Sequence, residues 1–279
     1  MKISIIIPTY NDSNVLGKCI ESLSAQTFTD FEIIVIDDGS SDKTLEILSD
    51  LRLKNLELKI LKQSHGGAGA ARNLGASKAG GEILVFVDAD MTFDKDFLKN
   101  LTAPILDGKT KGTFSKEEYV SNWDNLWARC WNVNEGWMEK RRHPQNYPDY
   151  QPVFRAILKS EFDTVGGFTP GGYDDDWSLY RKLGYEAVNA EGAIFYHKNP
   201  SSLGEIFNHA KWVGKRKYKM GFIGYIVALF RSSLPISIVV GIVKGIKNMD
   251  LRFVIFKAVF DFGIFVGILE FLLKGKTAK

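Results

Sequence analysis

The chain has 279 residues, of which 45% are hydrophobic and 25% are charged, close to the averages of globular proteins. This composition excludes a wholly disordered chain, and the formal net charge of +3 is too small to indicate a nucleic-acid-binding protein. The two cysteines, without a CxxC pair or a Cys/His cluster, argue against a structural zinc site or a disulfide scaffold. They favour a reducing, cytoplasmic setting.

Strands and helices alternate regularly over the first hundred residues. Short runs rich in β-branched residues predict strands at 3–7, 31–36, 56–61 and 82–87. Apolar residues at helical spacing, or helix-forming stretches between the strands, predict helices at 14–25, 42–51 and 68–78. This order predicts an α/β fold with a mainly parallel sheet and helices on both faces.

Residues 108–150 interrupt this rhythm and contain four of the six tryptophans, Trp123, Trp127, Trp131 and Trp137. The first three recur every four residues, so they would share one face of a helix. We interpret this face as a core stripe or, alternatively, as a wall that binds a substrate. Strands near 153–158 and 193–196 and a helix at 177–183 then resume the α/β pattern.

Two mostly apolar segments, 222–243 and 253–273, end the chain. Each is about long enough to span a bilayer, for which ~20 residues are needed, but both contain charges that are costly inside a membrane. Lys257 and Asp261 are four residues apart and could pair on one helical face. A basic cluster at 211–219 precedes the segments, as expected beside an anionic leaflet. They predict a membrane-associated helical hairpin, either spanning or interfacial, with a soluble hairpin as the alternative.

Polar loops follow each of the first four predicted strands. They are PTYND at 8–12, DDGS at 37–40, HGGAG at 65–69 and DAD at 88–90. In parallel sheets the ligand binds outside the carboxyl ends of the strands. The four loops should therefore converge on one ligand-binding rim.

The acidic residues of these loops suggest metal and nucleotide chemistry. Asp88 and Asp90 directly follow a buried strand, where two carboxylates can approach one divalent ion that bridges a diphosphate. The pair at 37–38 can accept hydrogen bonds from a base or a ribose. Arg72 lies near the start of a helix rich in small residues and could pair with phosphate. The alternative interpretation of each acidic pair is a solvated turn or a helix cap.

A third acidic group, at 174–176, precedes the predicted helix at 177–183. The helix dipole favours acids there, but it explains one acid better than three. Crowded carboxylates raise the pKa of one another, which suits a general base. His197 follows the strand at 193–196, and we interpret it as a third metal ligand or as an ordinary surface or core histidine.

Taken together, these runs resemble the inverting family 2 glycosyltransferases, which have the GT-A fold. The matching stretches are IIIPTYN (5–11), QTF (26–28), FEIIVIDDGS (31–40), ARNLG (71–75), GEI (81–83) and DAD (88–90). The resemblance is strong over residues 3–100 and moderate over 153–217. It implies a nucleotide-diphospho-sugar transferase fold with a mostly parallel central sheet, followed in this chain by apolar C-terminal helices.

The resemblance also implies how the donor would be bound. The donor-binding residues would be Pro8, Thr9, Tyr10, Asp38, Arg72, Asp88, Lys215 and Arg216. Thr9, Tyr10 and Asp38 would contact the nucleoside, and Arg72 and Asp88 would contact the nucleotide. Lys215 and Arg216 would reach the donor diphosphate or a phosphorylated lipid acceptor.

The same resemblance implies the metal ligands and the base. Asp90, with Asp88 and His197, would hold Mg²⁺ or Mn²⁺. Asp176 would be the general base, with Asp175 as its orienting partner. Asp175 stands where the family usually has Glu, so the frame of the acidic run at 174–176 is open by one residue.

We therefore predict a metal-dependent glycosyltransferase, of the hexosyltransferase class, that transfers a sugar with inversion from a UDP- or GDP-sugar. The acceptor would be a polyprenyl-linked or other glycan, or a cell-envelope polysaccharide. We expect a catalytic domain at 1–218 and a membrane-associated hairpin at 219–279, at the cytoplasmic face of the cell membrane. We expect no nucleic-acid partner, and a homo-oligomer is compatible with the sequence. A nucleotidyltransferase of related fold and a non-catalytic membrane scaffold are the alternatives.

Overall fold

The computed structural model describes residues 1–50, 57–170, 175–216 and 218–275, which form two compact units. Unit 1 comprises Met1–Tyr119 and Asn146–His197, and unit 2 comprises Val120–Gln145 and Lys198–Lys279. These units do not coincide with the segments 1–218 and 219–279. The predicted boundary between a catalytic domain and a membrane-associated part stays a prediction.

The described elements follow one another along the chain as eleven strands and eleven helices. The strands are β1 (Ile3–Thr9), β2 (Phe31–Asp37), β3 (Glu57–Lys62), β4 (Ile83–Phe86), β5 (Met91–Phe93), β6 (Gly112–Phe114), β7 (Glu118–Val120), β8 (Tyr150–Gln151), β9 (Ala156–Leu158), β10 (Ala187–Asn189) and β11 (Phe195–His197). The helices are α1 (Leu16–Ser24), α2 (Thr44–Asp50), α3 (Ala68–Ser77), α4 (Phe97–Leu106), α5 (Leu126–Glu135), α6 (Lys159–Thr164), α7 (Asp175–Leu183), α8 (Leu203–Gly214), α9 (Gly221–Arg231), α10 (Leu234–Lys247) and α11 (Phe253–Lys274).

The main sheet has eight strands in the order β3-β2-β1-β4-β9-β6-β10-β8. The first four strands are parallel to one another, β9 is antiparallel to both of its neighbours, and β8 is antiparallel to β10. A smaller sheet has the order β5-β11-β7. The predicted α/β fold with a mostly parallel central sheet is confirmed.

Strand β1 lies between two apolar cores because its side chains alternate between the two faces of the sheet. Ile5 and Ile7 contribute to the core that includes α1, and Ile6 contributes to the core that includes Ala71 and Ala76 of α3. A continuous run of isoleucines is therefore buried on both faces, as parallel sheets require. This packing fixes the carboxyl end of β1, which carries the first polar loop.

Parts of the predicted secondary structure need correction. The strand predicted at 153–158 begins only at Ala156. Trp123 lies in a turn before α5, so it does not share a helical face with Trp127 and Trp131. Trp131 is buried and its ring meets Phe256 and Phe260 edge-on, in agreement with the core interpretation of the stripe.

Unit 2 contains a close helix pair, α8 and α11. The Cβ atom of an alanine at Gly214 would lie 2.5 Å from the carbonyl oxygen of Ile264, and one at Gly263 would lie 2.7 Å from that of Phe207. Only residues without a side chain allow the two backbones to approach so closely. The predicted pair Lys257–Asp261 is also confirmed, with Nζ 2.7 Å from Oδ1.

The two apolar segments predicted as a hairpin form three helices within the described residues. The segment at 222–243 is divided into α9 and α10 at Ser232–Ser233, and the segment at 253–273 lies in α11. None of the described helices is by itself both long and apolar enough to cross a bilayer. Helices α9 and α10 satisfy that criterion only as a pair, with a bend of 61° between them.

Candidate active site

The first three polar loops meet at the carboxyl end of the main sheet in unit 1. Thr9 and Asp37 are neighbours in the register of β1 and β2, and the backbone N–H of Asp38 donates to the carbonyl of Thr9 at 2.9 Å. The Asp38 carboxylate in turn accepts hydrogen bonds from the N–H groups of Gly66 (2.8 Å) and Gly67 (2.9 Å). The predicted convergence of these loops is therefore observed.

Asp38 is almost completely buried, with 3% of its surface exposed. Besides the two glycine N–H groups, its carboxylate receives Nε2 of Gln63 at 2.7 Å and lies 2.9 Å from Nδ1 of His65. The carboxylate is thus turned toward the loop after β3 and organises it. The predicted contact of Asp38 with a nucleoside stays a prediction.

A stacked pair of rings stands beside this loop. Tyr10 is 45% exposed, and its ring lies 4.2 Å from that of His65 at an interplanar angle of 26°. The pair presents a flat face suited to stacking with an aromatic ring. Thr9 is buried and its hydroxyl donates to Asp12 at 3.0 Å, and Pro8 is half-buried within β1. The motif analysis did not single out His65, which only the position of its glycine-rich loop could have indicated.

Asp88 is held between two arginines. Its Oδ1 accepts from Arg72 at 2.8 Å, and its Oδ2 accepts from Arg155 at 3.3 Å. Burial alone would raise the pKa of Asp88, but the charges of Arg155, Arg72 and, to a smaller extent, His197 hold it well below the usual range of a carboxyl. Asp88 therefore stays ionised and fixes two guanidinium groups at the rim.

Arg155 was missed by the sequence analysis. It lies just before β9, 67 residues from Asp88 and outside any of the motifs. Its backbone N–H donates to Thr113, and its carbonyl accepts from Phe86 at the end of β4. The antiparallel pairing of β9 with β4 therefore brings this cation to Asp88, and a local sequence pattern cannot reveal that pairing.

Asp90, the second acid of the DAD run at 88–90, is part of a chain of three polar side chains. His197 Nε2 lies 3.0 Å from Oδ2 of Asp90, and His197 Nδ1 lies 2.8 Å from Oε1 of Glu118. The register of β11 with β5 places His197 opposite Met91, directly beside Asp90. Glu118, at the start of β7, was not predicted because the region at 108–150 carries no recognisable motif.

Asp12 adds to the negative charge of this rim. Burial is the main cause that raises the pKa of Asp12, and the nearby carboxylates of Asp90 and Asp88 raise it further. Its own hydrogen bonds from the hydroxyl of Thr9 and the N–H of Tyr10 act in the opposite direction. The carboxylates of Asp12, Asp88 and Asp90 thus lie close to one another, and Asp88 adds the two guanidinium groups.

The predicted metal set is brought together only in part. Within the described ranges no group of three or more His, Cys, Asp and Glu side chains is arranged to hold a metal ion. Asp88 is bound to arginines, whereas Asp90 and His197 are adjacent. Their 3.0 Å separation is that of a hydrogen bond, and an imidazole and a carboxylate this close to each other would hold a divalent ion as two of its ligands. Glu118 on the far ring nitrogen is the usual outer partner of a metal-bound histidine, so these residues fit a divalent ion.

The other predicted residues lie elsewhere or cannot be described at side-chain level. Helix α7 begins at Asp175, and the side chains of Asp175 and Asp176, like residue 174 as a whole, lie outside the described part. Lys215 and Arg216 belong to unit 2, where Lys215 pairs with Glu270 at 2.8 Å. The roles of Asp176 as general base and of Asp175 as its partner stay predictions. The contacts of Lys215 and Arg216 with a diphosphate also stay predictions.

Comparison with known proteins decides the family. Residues 4–183 match the model of the family described as glycosyl transferase family 2. The chain belongs to this family. A sequence relative is poly(ribitol-phosphate) beta-N-acetylglucosaminyltransferase TarS of Staphylococcus aureus, 42% identical over 106 residues. That match covers 37% of this chain and only 18% of TarS. The family assignment does not favour the nucleotidyltransferase alternative.

Two solved structures of glycosyltransferases have a similar fold. TarS residues 1–349 in complex with UDP-GlcNAc have a TM-score of 0.58 at 18% identity, covering 100% of this chain and 93% of that one. The mannosyltransferase PcManGT of Pyrobaculum calidifontis, in complex with GDP-Man and Mn²⁺, has a TM-score of 0.62 at 17% identity, covering 99% and 88%. At these identities the likeness shows the fold, which is of the GT-A type.

Proposed function

We propose that this family 2 transferase moves a sugar, with inversion, from a nucleoside-diphosphate donor to a glycan or lipid-linked acceptor. One observation carries the proposal: at the strand ends Asp88 holds two arginines beside the Asp90–His197 pair. Cations and metal-type ligands at one rim suit a diphosphate leaving group. The fold shared with transferases that bind UDP-GlcNAc and GDP-Man supports this proposal.

The donor would lie across the loops of unit 1. Tyr10 and His65 offer a ring face on which the nucleobase would stack, about 1–3 kcal/mol per stacked base by analogy with nucleic-acid-binding proteins. Arg72 and Arg155 would bind diphosphate oxygens with planar guanidinium groups that Asp88 already orients. Uracil and guanine are both compatible with such a face.

The leaving group would be stabilised by charges that are already in place. As the bond from sugar to phosphate breaks, negative charge develops on the nucleoside diphosphate, and oriented guanidinium groups stabilise it without reorganisation. Asp90 and His197 would hold Mg²⁺ or Mn²⁺, which when bound would neutralise part of the same charge. Glu118 would keep the His197 ring in the orientation that presents Nε2.

The acceptor would attack from the opposite face of the sugar ring. Asp176, at the start of α7, would take the proton of an acceptor hydroxyl, with Asp175 as its orienting partner. A phosphate acceptor would attack without a strong base. The transition state would have oxocarbenium character, and positioning would supply much of the catalysis.

We propose a cell-envelope polymer or a polyprenyl-linked glycan as acceptor, at the cytoplasmic face of the membrane. The name of TarS specifies poly(ribitol phosphate) as the acceptor of that relative. The apolar helices α9 to α11 and the lysines around them support a membrane location for this chain.

Donor hydrolysis tests the proposal. The full chain is incubated with UDP-, GDP- and dTDP-sugars in Mn²⁺, Mg²⁺ or chelator, beside Asp90→Ala and the control Asp107→Ala. Asp107 is an exposed acid paired with Lys109. We expect slow, metal-dependent release of one nucleoside diphosphate by the native chain and the control, and loss of release in Asp90→Ala. If no nucleotide binds under any condition, a non-catalytic scaffold replaces the proposed function.

A further inference from the structure

Exposed apolar side chains are concentrated in the C-terminal helices of unit 2. Of the 28 large hydrophobic residues that are exposed within the described part of the chain, 19 lie between Met220 and Leu273. Water-soluble surfaces rarely expose contiguous apolar patches of this kind unless they bind a partner. We call helices α9 and α10, with the turn at Ser232–Ser233, the apolar elbow.

Helix α10 of the apolar elbow has its large side chains outside and its small ones inside. On α10 the buried residues are Ser237, Gly241 and Gly245, one helical turn apart. An alanine Cβ at Gly241 would lie 2.9 Å from Cα of Val254, so α10 packs closely on α11 through this small-residue face. The opposite face exposes Val239, Val243 and Ile246. Helices that face lipid have this arrangement, because lipid tails solvate large apolar side chains and packing favours small ones.

Helix α9 continues the same surface. Phe222, Ile226 and Phe230 follow one another at four-residue intervals and are all at least half exposed, whereas Tyr225 is buried. An apolar groove of about 570 Å³ lies at the turn between the two helices and α11. Its lining residues are Ser232, Ser233, Leu234, Ala258, Val259, Phe262 and Phe265.

The charge of this segment selects an anionic partner. Residues 201–279 contain 13 Lys and Arg but only 4 Asp and Glu, a formal charge of +9, while the whole chain has +3. Residues 1–200 therefore carry −6. Three of the four acids are already paired: Glu270 with Lys211 and Lys215, Asp261 with Lys257, and Asp250 with Arg252. A segment with this excess of cations is attracted to anionic lipid headgroups, and two copies of it repel each other.

The length of the helices favours insertion into one leaflet. The 11 residues of α9 and the 14 residues of α10 correspond to about 16 Å and 21 Å, shorter than the ~30 Å of a bilayer core. The bend of 61° turns α10 away from the direction of α9. We propose that the apolar elbow inserts into one leaflet of an anionic bilayer, with its groove receiving a lipid hydrocarbon chain. The inference rests on the proposed membrane location and specifies its surface and depth.

Vesicle binding of the full chain tests the inference. Flotation compares phosphatidylcholine vesicles with vesicles that also contain about 30% phosphatidylglycerol. The native chain should bind the anionic vesicles at least about 10-fold more tightly, and the double variant Phe230→Glu, Val243→Glu should lose at least about 10-fold. The control Ile60→Glu, Leu106→Glu places the same two charges at exposed apolar residues of unit 1 and should bind like the native chain. Equal binding of the three proteins would overturn the inference.

Measurements of insertion depth and of oligomeric state distinguish insertion into one leaflet from a membrane-spanning helix and from a dimer. Phe230→Cys is labelled with an environment-sensitive dye, since Cys19 and Cys130 are buried. We expect a blue shift on binding vesicles and no access of the label to a quencher trapped inside them. Access from inside would indicate a spanning helix and overturn the inference. A native dimer that the double variant converts to a monomer, without vesicle binding, would also overturn it.

The groove and the proposed activity are tested separately. Ala258→Trp fills the groove and should weaken binding to anionic vesicles several-fold, while the control Leu273→Trp, on the exposed end of α11, should not. Unchanged vesicle binding of Ala258→Trp would show that the groove does not receive a lipid chain. Donor binding in solution is measured on the same proteins. If vesicle binding fails while donor binding is intact, only the proposed membrane-binding surface is contradicted and the proposed activity is not.

Discussion

Removal of the Glu118 carboxylate should weaken binding of a divalent ion without unfolding the site. Glu118 Oε1 lies 2.8 Å from His197 Nδ1, and His197 Nε2 lies 3.0 Å from Asp90. If Nδ1 donates its proton to Glu118, the lone pair of Nε2 points to Asp90 and to a shared ion. Loss of such an outer partner typically costs about 10–100-fold in metal affinity, or about 1.4–2.7 kcal/mol. We expect a loss of this size in Glu118→Ala.

Mn²⁺ affinity, measured by electron paramagnetic resonance with and without UDP, provides the assay. Glu118→Gln keeps an acceptor oxygen within reach of Nδ1, so it should lose less affinity than Glu118→Ala. Glu117→Gln is the matched control, because the Glu117 carboxylate accepts from the N–H of Gly192 rather than from His197. If Glu118→Ala and Glu117→Gln bind Mn²⁺ equally well while His197→Ala does not, the orienting role of Glu118 is refuted.

Three further predictions concern charge, stacking and packing. The arginines beside Asp88 lower the pKa of its carboxyl, so the ion pairs contribute fully to stability above pH ~4 and progressively less as the pH falls below ~4. Asp88→Asn should therefore lower the Tm more at pH ~7 than at pH ~3. An equal loss of Tm at both pH values would contradict the ion pairs. Tyr10→Ala should weaken nucleotide binding by about 1–3 kcal/mol in calorimetry and leave the Tm within about 2 °C of the native value, whereas unchanged affinity would place the base elsewhere. Gly267→Ala should destabilise unit 2 by at least about 1–3 kcal/mol in urea, because its Cβ would overlap the carbonyl of Lys211. Gly204→Ala, in helix α8 of the same unit, is the matched control, because its Cβ would meet no atom closer than Ser202 Oγ at 3.9 Å. An equal effect of the two substitutions would contradict the close packing of α8 on α11.

The central part of the fold was predictable because its causes are local. Buried runs such as Ile3–Thr9 and Phe31–Asp37 are continuous and β-branched, so their strand character and their place inside a parallel sheet follow from the sequence. The polar residues that follow them then lie at one edge by the geometry of parallel strands. Tyr10, Asp38, Arg72, Asp88 and Asp90 could therefore be assigned to one rim.

The rest of the site depends on pairings between distant strands. Arg155 reaches Asp88 because β9 is antiparallel to β4, and Glu118 reaches His197 through the small sheet that joins β5, β11 and β7. Strand β9 and the strands of the small sheet have three residues each, too short for a periodic signal. A contact between residues 67 or 79 positions apart is a property of the topology, so a reading of local motifs could not find it.

Substitution of Asp38 distinguishes its role predicted from the sequence, a nucleoside contact, from its role in the structure, where it holds the loop after β3. A direct nucleoside contact predicts that Asp38→Asn weakens nucleotide binding and leaves the Tm unchanged. In the structure its carboxylate instead accepts from Gln63, Gly66 and Gly67, and an amide would turn an N–H group toward one of these donors. A buried unsatisfied donor costs about 1–3 kcal/mol, so Asp38→Asn should lower the free energy of unfolding by that amount as well as the affinity. Tyr10→Ala is the matched control, because it removes the stacking face without a buried hydrogen bond. If Asp38→Asn weakens UDP or GDP binding at native stability, the carboxylate contacts the nucleoside directly and the loop-organising role is wrong.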